Sequence, residues 1–203
     1  MPSSSVAFFG YIRLMSTKSI SIFRAAVLLF VFGAIVGNGF NSFHAYSGTI
    51  PVTATHMNPL KDWSSYLLFG FAGLSIGMLS IVLDKLPGGN VKPVSAIKAL
   101  AGIGLLGIFY FLSACMFLSN GVILGLLIFG FLLSYFLYGR NTVSLGAAFL
   151  VAIAGTTAEI IFVQSGMYYY SRPQFMGVAY WLPFLYGIAS VTTGQLALAL
   201  AAW

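Results

Sequence analysis

The side chains that could do chemistry are few, and the most informative of them is Glu159. It is one of only three acidic residues in 203 and lies inside the apolar run AGTTAEIIFVQSG. The other two, Asp62 and Asp84, flank a different apolar run from opposite ends. The sequence therefore predicts no pair of carboxylates for general acid–base catalysis.

The histidines and the cysteine do not suggest a metal site. His44 and His56 fall near the end of the first apolar run and in the loop after it, where we expect solvated side chains without a third ligand. Cys115 stands alone in an apolar run, which excludes an internal disulfide and the usual zinc spacings. The glycines lie inside apolar runs, not in phosphate-binding loops. We expect no metal, no cofactor and no enzymatic activity.

The composition indicates a membrane protein. Hydrophobic residues make up 60% of the chain, charged residues 6%, and the mean hydropathy is +0.99. A soluble domain carries roughly 25% charged residues, so this chain lacks the ions to cover a surface that faces water. Its net charge of +6 is spread over single basic residues, and we expect no nucleic-acid binding.

Six apolar segments are long enough to cross a bilayer, which requires about 20 residues each. The fold class that we predict is an all-α bundle of six transmembrane helices, formed by residues 23–203 as a single domain after a cytosolic tail of residues 1–22. The expected spans are Phe23–Phe43, Ser65–Leu83, Ala96–Leu118, Val122–Tyr138, Val143–Gln164 and Tyr180–Leu200.

The basic residues orient the bundle. Seven of the nine lysines and arginines fall in the N-terminal segment, the second loop and the fourth loop, and only Lys61 and Arg172 fall on the other side. The excess of positive charge predicts that both termini are cytoplasmic. On the far side, we expect an interfacial belt of aromatic side chains made by Tyr168, Tyr169, Tyr170, Tyr180 and Trp181.

Small residues recur at helical spacing in three spans and predict close helix packing. They are Gly70, Gly73, Gly77 and Ser80 in the second span, Ala148, Ala152, Gly155 and Thr156 in the fifth, and Gly187, Ser190 and Gly194 in the sixth. Glu159 lies on the same face of the fifth span as these small residues. Because a carboxylate in the bilayer costs about 2.5 kcal/mol or more, it needs a partner. The partner is either a ligand headgroup or proton, or a neighbour such as Thr156, Asn38 or Ser190.

The second half of the chain carries a specific motif. The fifth loop reads QSGMYYYSRPQF, with the spacing Gly-x-Tyr-x-Tyr-x-x-Pro-x-Phe, and is followed by Tyr180, Trp181, Leu182 and Pro183. Gly139 and Arg140 precede it, and Thr193, Gly194 and Gln195 follow it. With weaker agreement at Asn38, DWSSYLL and SACMFLSNG, the chain resembles the Insig family of membrane sterol sensors over most of its length after Ala25. The short loops favour a divergent or prokaryotic relative.

The resemblance implies a regulator that binds a sterol or a neutral lipid such as diacylglycerol in a cavity among its helices. The residues expected at that cavity are Asn38, Ser113, Phe117, Glu159 and Trp181. We do not expect a partner of the Scap type, because Gly139 stands where the animal proteins have an aspartate. Val122 also replaces a family glutamine. The small-residue faces suggest a homo-oligomer.

The expected location depends on the organism. It is the cell membrane in a prokaryote or the endoplasmic reticulum membrane in a eukaryote. Two other functions depend on Glu159. A small proton-coupled transporter would use it as the proton carrier, and an intramembrane lipid enzyme would use it as an acid catalyst.

Overall fold

The computed structural model describes residues 21–51, 61–89, 91–139 and 141–202. Within these ranges, six helices are long and apolar enough to span a membrane, which confirms the predicted fold class. Most of the predicted N-terminal tail, His56 and Arg140 lie outside the described residues. The helices are α1 (Ser21–Ser47), α2 (Trp63–Leu83), α3 (Ala96–Ser113), α4 (Asn120–Gly139), α5 (Thr142–Gln164) and α6 (Leu182–Ala201).

Two helix ends differ most from the expected spans: α1 continues to Ser47 instead of Phe43, and α3 stops at Ser113 instead of Leu118. The other ends agree within two residues. The hydroxyl of Ser119 accepts from the backbone N–H of Val122 and caps α4, so the α3–α4 connection spans residues 114–119. Pro183 occupies the first turn of α6, where its missing N–H costs no helical hydrogen bond.

Helix α6 forms the centre of the bundle, and α2, α3, α4 and α5 all pack against it. It is buried along most of its length, whereas the other helices expose wide apolar faces. Its small and hydroxyl side chains leave room for neighbours on every side, and this is the packing expected where lipid offers no hydrophobic drive. The near end of the bundle is defined as the end that contains Ser21 and Ala201, and the far end as the one that contains Ser47 and Trp63.

The glycines of α2 meet α1 and α6 at close range, as predicted. A Cβ on Gly73 would lie 2.8 Å from the backbone oxygen of Leu29, and one on Gly77 would lie 2.6 Å from the Leu29 side chain. On α1, a Cβ on Gly33 would collide with the Phe69 backbone oxygen. Gly33 begins a π-helical turn, Gly33–Gly37, and no pattern in the sequence distinguishes it from the other glycines.

Helices α4 and α5 meet only near one end. The last turn of α4 is π-helical, and its Tyr138 packs with Ala148 of α5 and Val191 of α6. The side-chain amide of Gln195 donates to the Tyr138 backbone oxygen over 2.6 Å, which fixes this turn to α6. Beyond it, α4 and α5 both follow α6 but leave a space between them.

Candidate functional site

A cluster of tyrosines around Glu159 is the main polar feature at the far end. Tyr186 of α6 donates to Glu159 Oε1 over 2.9 Å, and Tyr170 donates to Oε2 over 3.1 Å. Tyr168 also donates to Oε2. Glu159 lies five residues before the end of α5, about 7 Å along the axis, so it is closer to the far end than to the middle of the span.

These contacts correct the predicted partners of Glu159. Thr156, Asn38 or Ser190 were named as possible neighbours, as the alternative to a ligand or a proton, but three phenol groups hold the carboxylate. Two of the phenols come from residues 165–181, the loop between α5 and α6. The carboxylate therefore joins α5, α6 and this loop, with two hydrogen bonds to one oxygen and one to the other.

The predicted aromatic belt is also wrong in part. Tyr168, Tyr170 and Trp181 are buried in the core of the far end, while Tyr169 is exposed. Burial, and then the nearby Glu159 carboxylate, raise the pKa of Tyr168 and Tyr170. Both phenols therefore remain protonated and able to donate at all ordinary pH values.

His44 forms a second polar contact and is not solvated as expected. Its side chain is 2% exposed, and its Nε2 lies 2.8 Å from the Ser113 hydroxyl. Ser113 gives its own proton to the backbone oxygen of Tyr110 over 2.8 Å. The histidine must therefore donate from Nε2, which joins α1 to α3.

Trp181 lies between His44 and the tyrosine cluster around Glu159. Its ring centroid lies 5.8 Å from that of His44 and 6.4 Å from that of Tyr170. The indole is 1% exposed, and its N–H has no hydrogen-bond partner among the residues that the structure describes. Trp181 also borders a void of about 10 Å³ together with Ser113, roughly the space of one water molecule.

Asn38 pairs two helices, as expected for an amide in the membrane. The hydroxyl of Ser65 on α2 donates to its Oδ1. Ser65 and Glu159 face the same cavity, together with Asn41 and Tyr168. That cavity measures about 30 Å³, which holds one or two waters and not a lipid.

Four of the five residues predicted for a ligand site thus lie in one region of the far end, and Phe117 does not join them. Its side chain is 86% exposed in the α3–α4 connection. No group of three or more metal-ligating side chains occurs in the described ranges. Cys115 is buried, and its thiol donates to the Phe111 backbone oxygen.

The space between α4 and α5 is much larger. It forms an apolar groove of about 810 Å³ over α6. Its lining on α5 runs from Thr142 to Ile160, about 27 Å along the helix, close to the ~30 Å thickness of the hydrocarbon layer. The lining residues are Phe131, Thr142, Leu145, Gly146, Ala148, Phe149, Ala152, Ile153, Thr156, Thr157, Ile160, Phe175, Pro183, Phe184 and Gly187.

The resemblance implied a cavity among the helices, but the position of this groove between α4 and α5 was not predicted from the sequence. The small residues of α5 were expected to pack closely, and Gly155 does so, with a Cβ position 2.5 Å from the Tyr186 ring. Ala152 of the same face lines the groove instead. The only signal in the sequence was the alternation of small residues with Leu145, Phe149 and Ile153, which is also typical of a helix that faces lipid.

Known proteins resemble the chain over nearly its whole length. No protein-family model matches it. The insulin-induced gene 1 protein of the zebrafish Danio rerio is 25% identical over 208 residues, covering 98% of this chain and 80% of the relative. The crystal structure of a mycobacterial Insig homologue, MvINS from Mycobacterium vanbaalenii, superposes with a TM-score of 0.75 at 25% identity, covering 87% of this chain and 94% of that one.

A cross-linked trimer of MvINS has the same fold, with a TM-score of 0.74 at 24% identity, covering 88% of this chain and 94% of that one. The six helices and these likenesses show a multi-pass membrane protein. Together with the motif between Gly166 and Phe175 and the buried Trp181 that comes after it, they show that the chain is similar to Insig proteins in sequence and in fold over nearly its whole length.

Proposed function

We propose that this protein is a regulatory membrane protein that binds a neutral lipid with a free hydroxyl, a sterol or a diacylglycerol, in the groove between α4 and α5. The observation that carries the proposal is the groove itself. Its volume of about 810 Å³ falls within the ~300–1,000 Å³ of typical small-molecule sites. The two small polar cavities of the far end are too small for such a ligand.

The lining of the groove matches a neutral lipid. None of its residues is charged, and its aromatic walls include Phe131, Phe149 and Phe184. Its polar groups are the hydroxyls of Thr142, Thr156 and Thr157. The Oγ1 of Thr156 is buried and has no partner within the described ranges, so the lining must shift for a lipid hydroxyl to reach it.

A regulatory role fits this arrangement better than catalysis or proton transport does. Glu159, which both alternatives require, is hydrogen-bonded to three tyrosines and does not line the groove. A ligand that favours one arrangement of the helices shifts the population toward it by its difference in affinity for the two states. We therefore assign Glu159 a structural role at the far end.

We further propose that the protein forms homo-oligomers, because MvINS is described as a cross-linked trimer. A Scap-type partner has no support at Gly139. A Cβ there would lie 2.6 Å from the Tyr135 ring, so the aspartate of the animal proteins would require this ring to shift. Both termini on the cytoplasmic side remain our proposal for the orientation.

Photolabelling tests the site. The protein is placed in nanodiscs with a photoreactive sterol or a photoreactive diacylglycerol, irradiated and digested. We expect label on peptides of α5 and α6 that line the groove, and competition by unlabelled lipid of the same class. Label confined to the exposed faces of α1 and α3, without competition, would contradict the proposal.

A further inference from the structure

The loop between α5 and α6 contains a hairpin that borders the groove. The backbone N–H groups of Gln174 and Phe175 both donate to the Val178 oxygen, at 3.0 and 3.1 Å, and Val178 donates back to Phe175 over 2.9 Å. Met176 and Gly177 form its two-residue tip with φ of 48° and 89°. Two positive φ values in succession are the mark of a type I′ turn.

The hairpin is fixed on both sides but free at its tip. Before it, Ser171 donates its backbone N–H to Thr49 over 3.0 Å, and Arg172 donates to the Leu118 backbone oxygen over 3.2 Å. After it, Val178 and Ala179 are buried in the core. Residues 173–177 are therefore the segment that can move while the rest of the loop stays attached.

In this position the tip covers the far end of the groove. Phe175 is one of the lining residues, although more than half of its side chain is exposed. Gly177 lies against the end of α5, where a Cβ would be 2.7 Å from Val163 Cγ1. A tilt of the hairpin away from Val163 would carry Phe175 out of the groove.

The tip also carries backbone strain. Met176 is the one non-glycine residue with positive φ in the described ranges, and the left-handed region is unfavourable for a residue with a Cβ. The first tip position of this turn favours Asn, Asp or Gly. More than half of the Met176 side chain is exposed, and it does not line the groove. This strain raises the free energy of the closed hairpin and so reduces the free-energy difference between the closed and the open conformation.

We propose that the tip of this hairpin, residues 173–177, is the gate through which the lipid enters and leaves the groove. The inference rests on the proposed lipid-binding function and assigns its route of exchange. When the hairpin is closed, Phe175 blocks the far mouth of the groove. When it opens, the groove becomes continuous with the far-side headgroup region.

A reversible cross-link tests the gate. A Cβ on Gly177 would lie 3.8 Å from Val163 Cβ, which is the mean Cβ separation in disulfides. Val163→Cys combined with Gly177→Cys should therefore lock the hairpin when oxidised and release it when reduced. Each single variant serves as its control, and Gly177→Cys alone measures the strain that a side chain introduces at the positive φ of Gly177. Exchange is followed by stopped-flow transfer of a fluorescent sterol and of a pyrene-labelled diacylglycerol between nanodiscs and vesicles.

We expect oxidation to slow uptake and release of the bound probe together, and reduction to restore both rates. Equal rates in the oxidised and reduced protein would overturn the gate while leaving lipid binding intact. If neither probe binds the reduced double variant or the unmodified protein, the proposed function fails and the gate fails with it.

Met176→Asn tests the same gate without cysteines. Because Asn tolerates the left-handed region, the closed hairpin becomes more stable, and about 1 kcal/mol of relieved strain corresponds to about fivefold slower uptake and release. The dissociation constant should not change, since Met176 does not line the groove. Unchanged rates in this variant would contradict the gate. Phe136→Ala, which alters an exposed side chain outside the groove, should leave rates and affinity unchanged.

Discussion

At the scale of single residues, Glu159 shows how a membrane helix accommodates a charge. The sequence predicts that the carboxylate needs partners, because burying it alone is costly. It does not predict that they are Tyr168, Tyr170 and Tyr186. Two of these belong to a loop whose path over the far end depends on the packing of the whole bundle, and tyrosines after a span are more often interfacial.

Removing one of the three phenol groups measures how much its hydrogen bond to Glu159 contributes to stability. Tyr186→Phe deletes the hydrogen bond to Glu159 Oε1, and a bond to a charged group contributes about 1.5–3 kcal/mol. We expect a lower thermal transition in detergent, by several degrees. Tyr46→Phe, at an exposed tyrosine of α1, should leave the transition unchanged. Equal effects of the two substitutions would contradict the structural role of Glu159.

Alkaline pH provides an independent measurement. Burial raises the pKa of Tyr168 and Tyr170 above the ordinary value of about 10. Below pH 10 both phenols are protonated in the folded and unfolded states. Above it, the unfolded chain loses these protons and the folded chain keeps them, so the free energy of unfolding falls as pH rises.

The thermal transition should therefore decrease between pH 9 and about pH 11, and less steeply in Tyr168→Phe than in the unmodified protein. The comparison with the variant removes the contribution of the lysines, which titrate in the same range. Parallel curves for the two proteins would show that Tyr168 ionises as easily when folded as when unfolded.

At the scale of elements, hydropathy alone predicts the six helices, because each must satisfy its backbone groups within the bilayer. The small-residue faces of α2 and α6 are confirmed as contact surfaces by Gly73, Gly77 and Gly194. The α5 face divides into Gly155, which packs, and Ala152, which lines the groove. Sequence spacing cannot separate these two outcomes, since both need a small residue on an apolar helix.

Two glycines of α1 give a matched test of helix packing. A Cβ on Gly33 would collide with the backbone of α2, whereas one on Gly39 meets nothing within 4 Å. We expect Gly33→Ala to lower the yield of folded protein and its thermal transition strongly. Gly39→Ala should be neutral or stabilising, because Ala is about 1 kcal/mol better than Gly in a helix. The reverse order would contradict the α1–α2 contact.

At the scale of the whole molecule, the even number of spans places both ends of the described bundle on the same side of the membrane. From the distribution of the basic residues, we propose that this is the cytoplasmic side. Lys61 and Lys85 are exposed at opposite ends of α2. In intact cells, an impermeant maleimide should label Lys61→Cys and not Lys85→Cys. Labelling of Lys85→Cys alone would invert the proposed orientation.

The position of the groove is the feature at this scale that the sequence did not predict. It arises because α4 and α5 are joined at the near end through Tyr138 and Ala148 and then lie along separate sides of α6. Such a space depends on how three helices cross, not on any residue type. The predicted ligand residues instead marked the far end, where polar side chains pair with one another.

Native mass spectrometry of gently solubilised protein, combined with extraction of the bound lipid, tests lipid binding in the groove most directly. The most informative variant is Gly146→Trp, because Gly146 lines the groove and a Cβ there meets no protein atom within 4 Å. Gly125→Trp is its control, with equally open surroundings outside the groove. We predict one sterol or diacylglycerol per chain in the unmodified protein and in Gly125→Trp, and its loss in Gly146→Trp. Equal lipid in both variants, or none in the unmodified protein, would contradict binding in the groove.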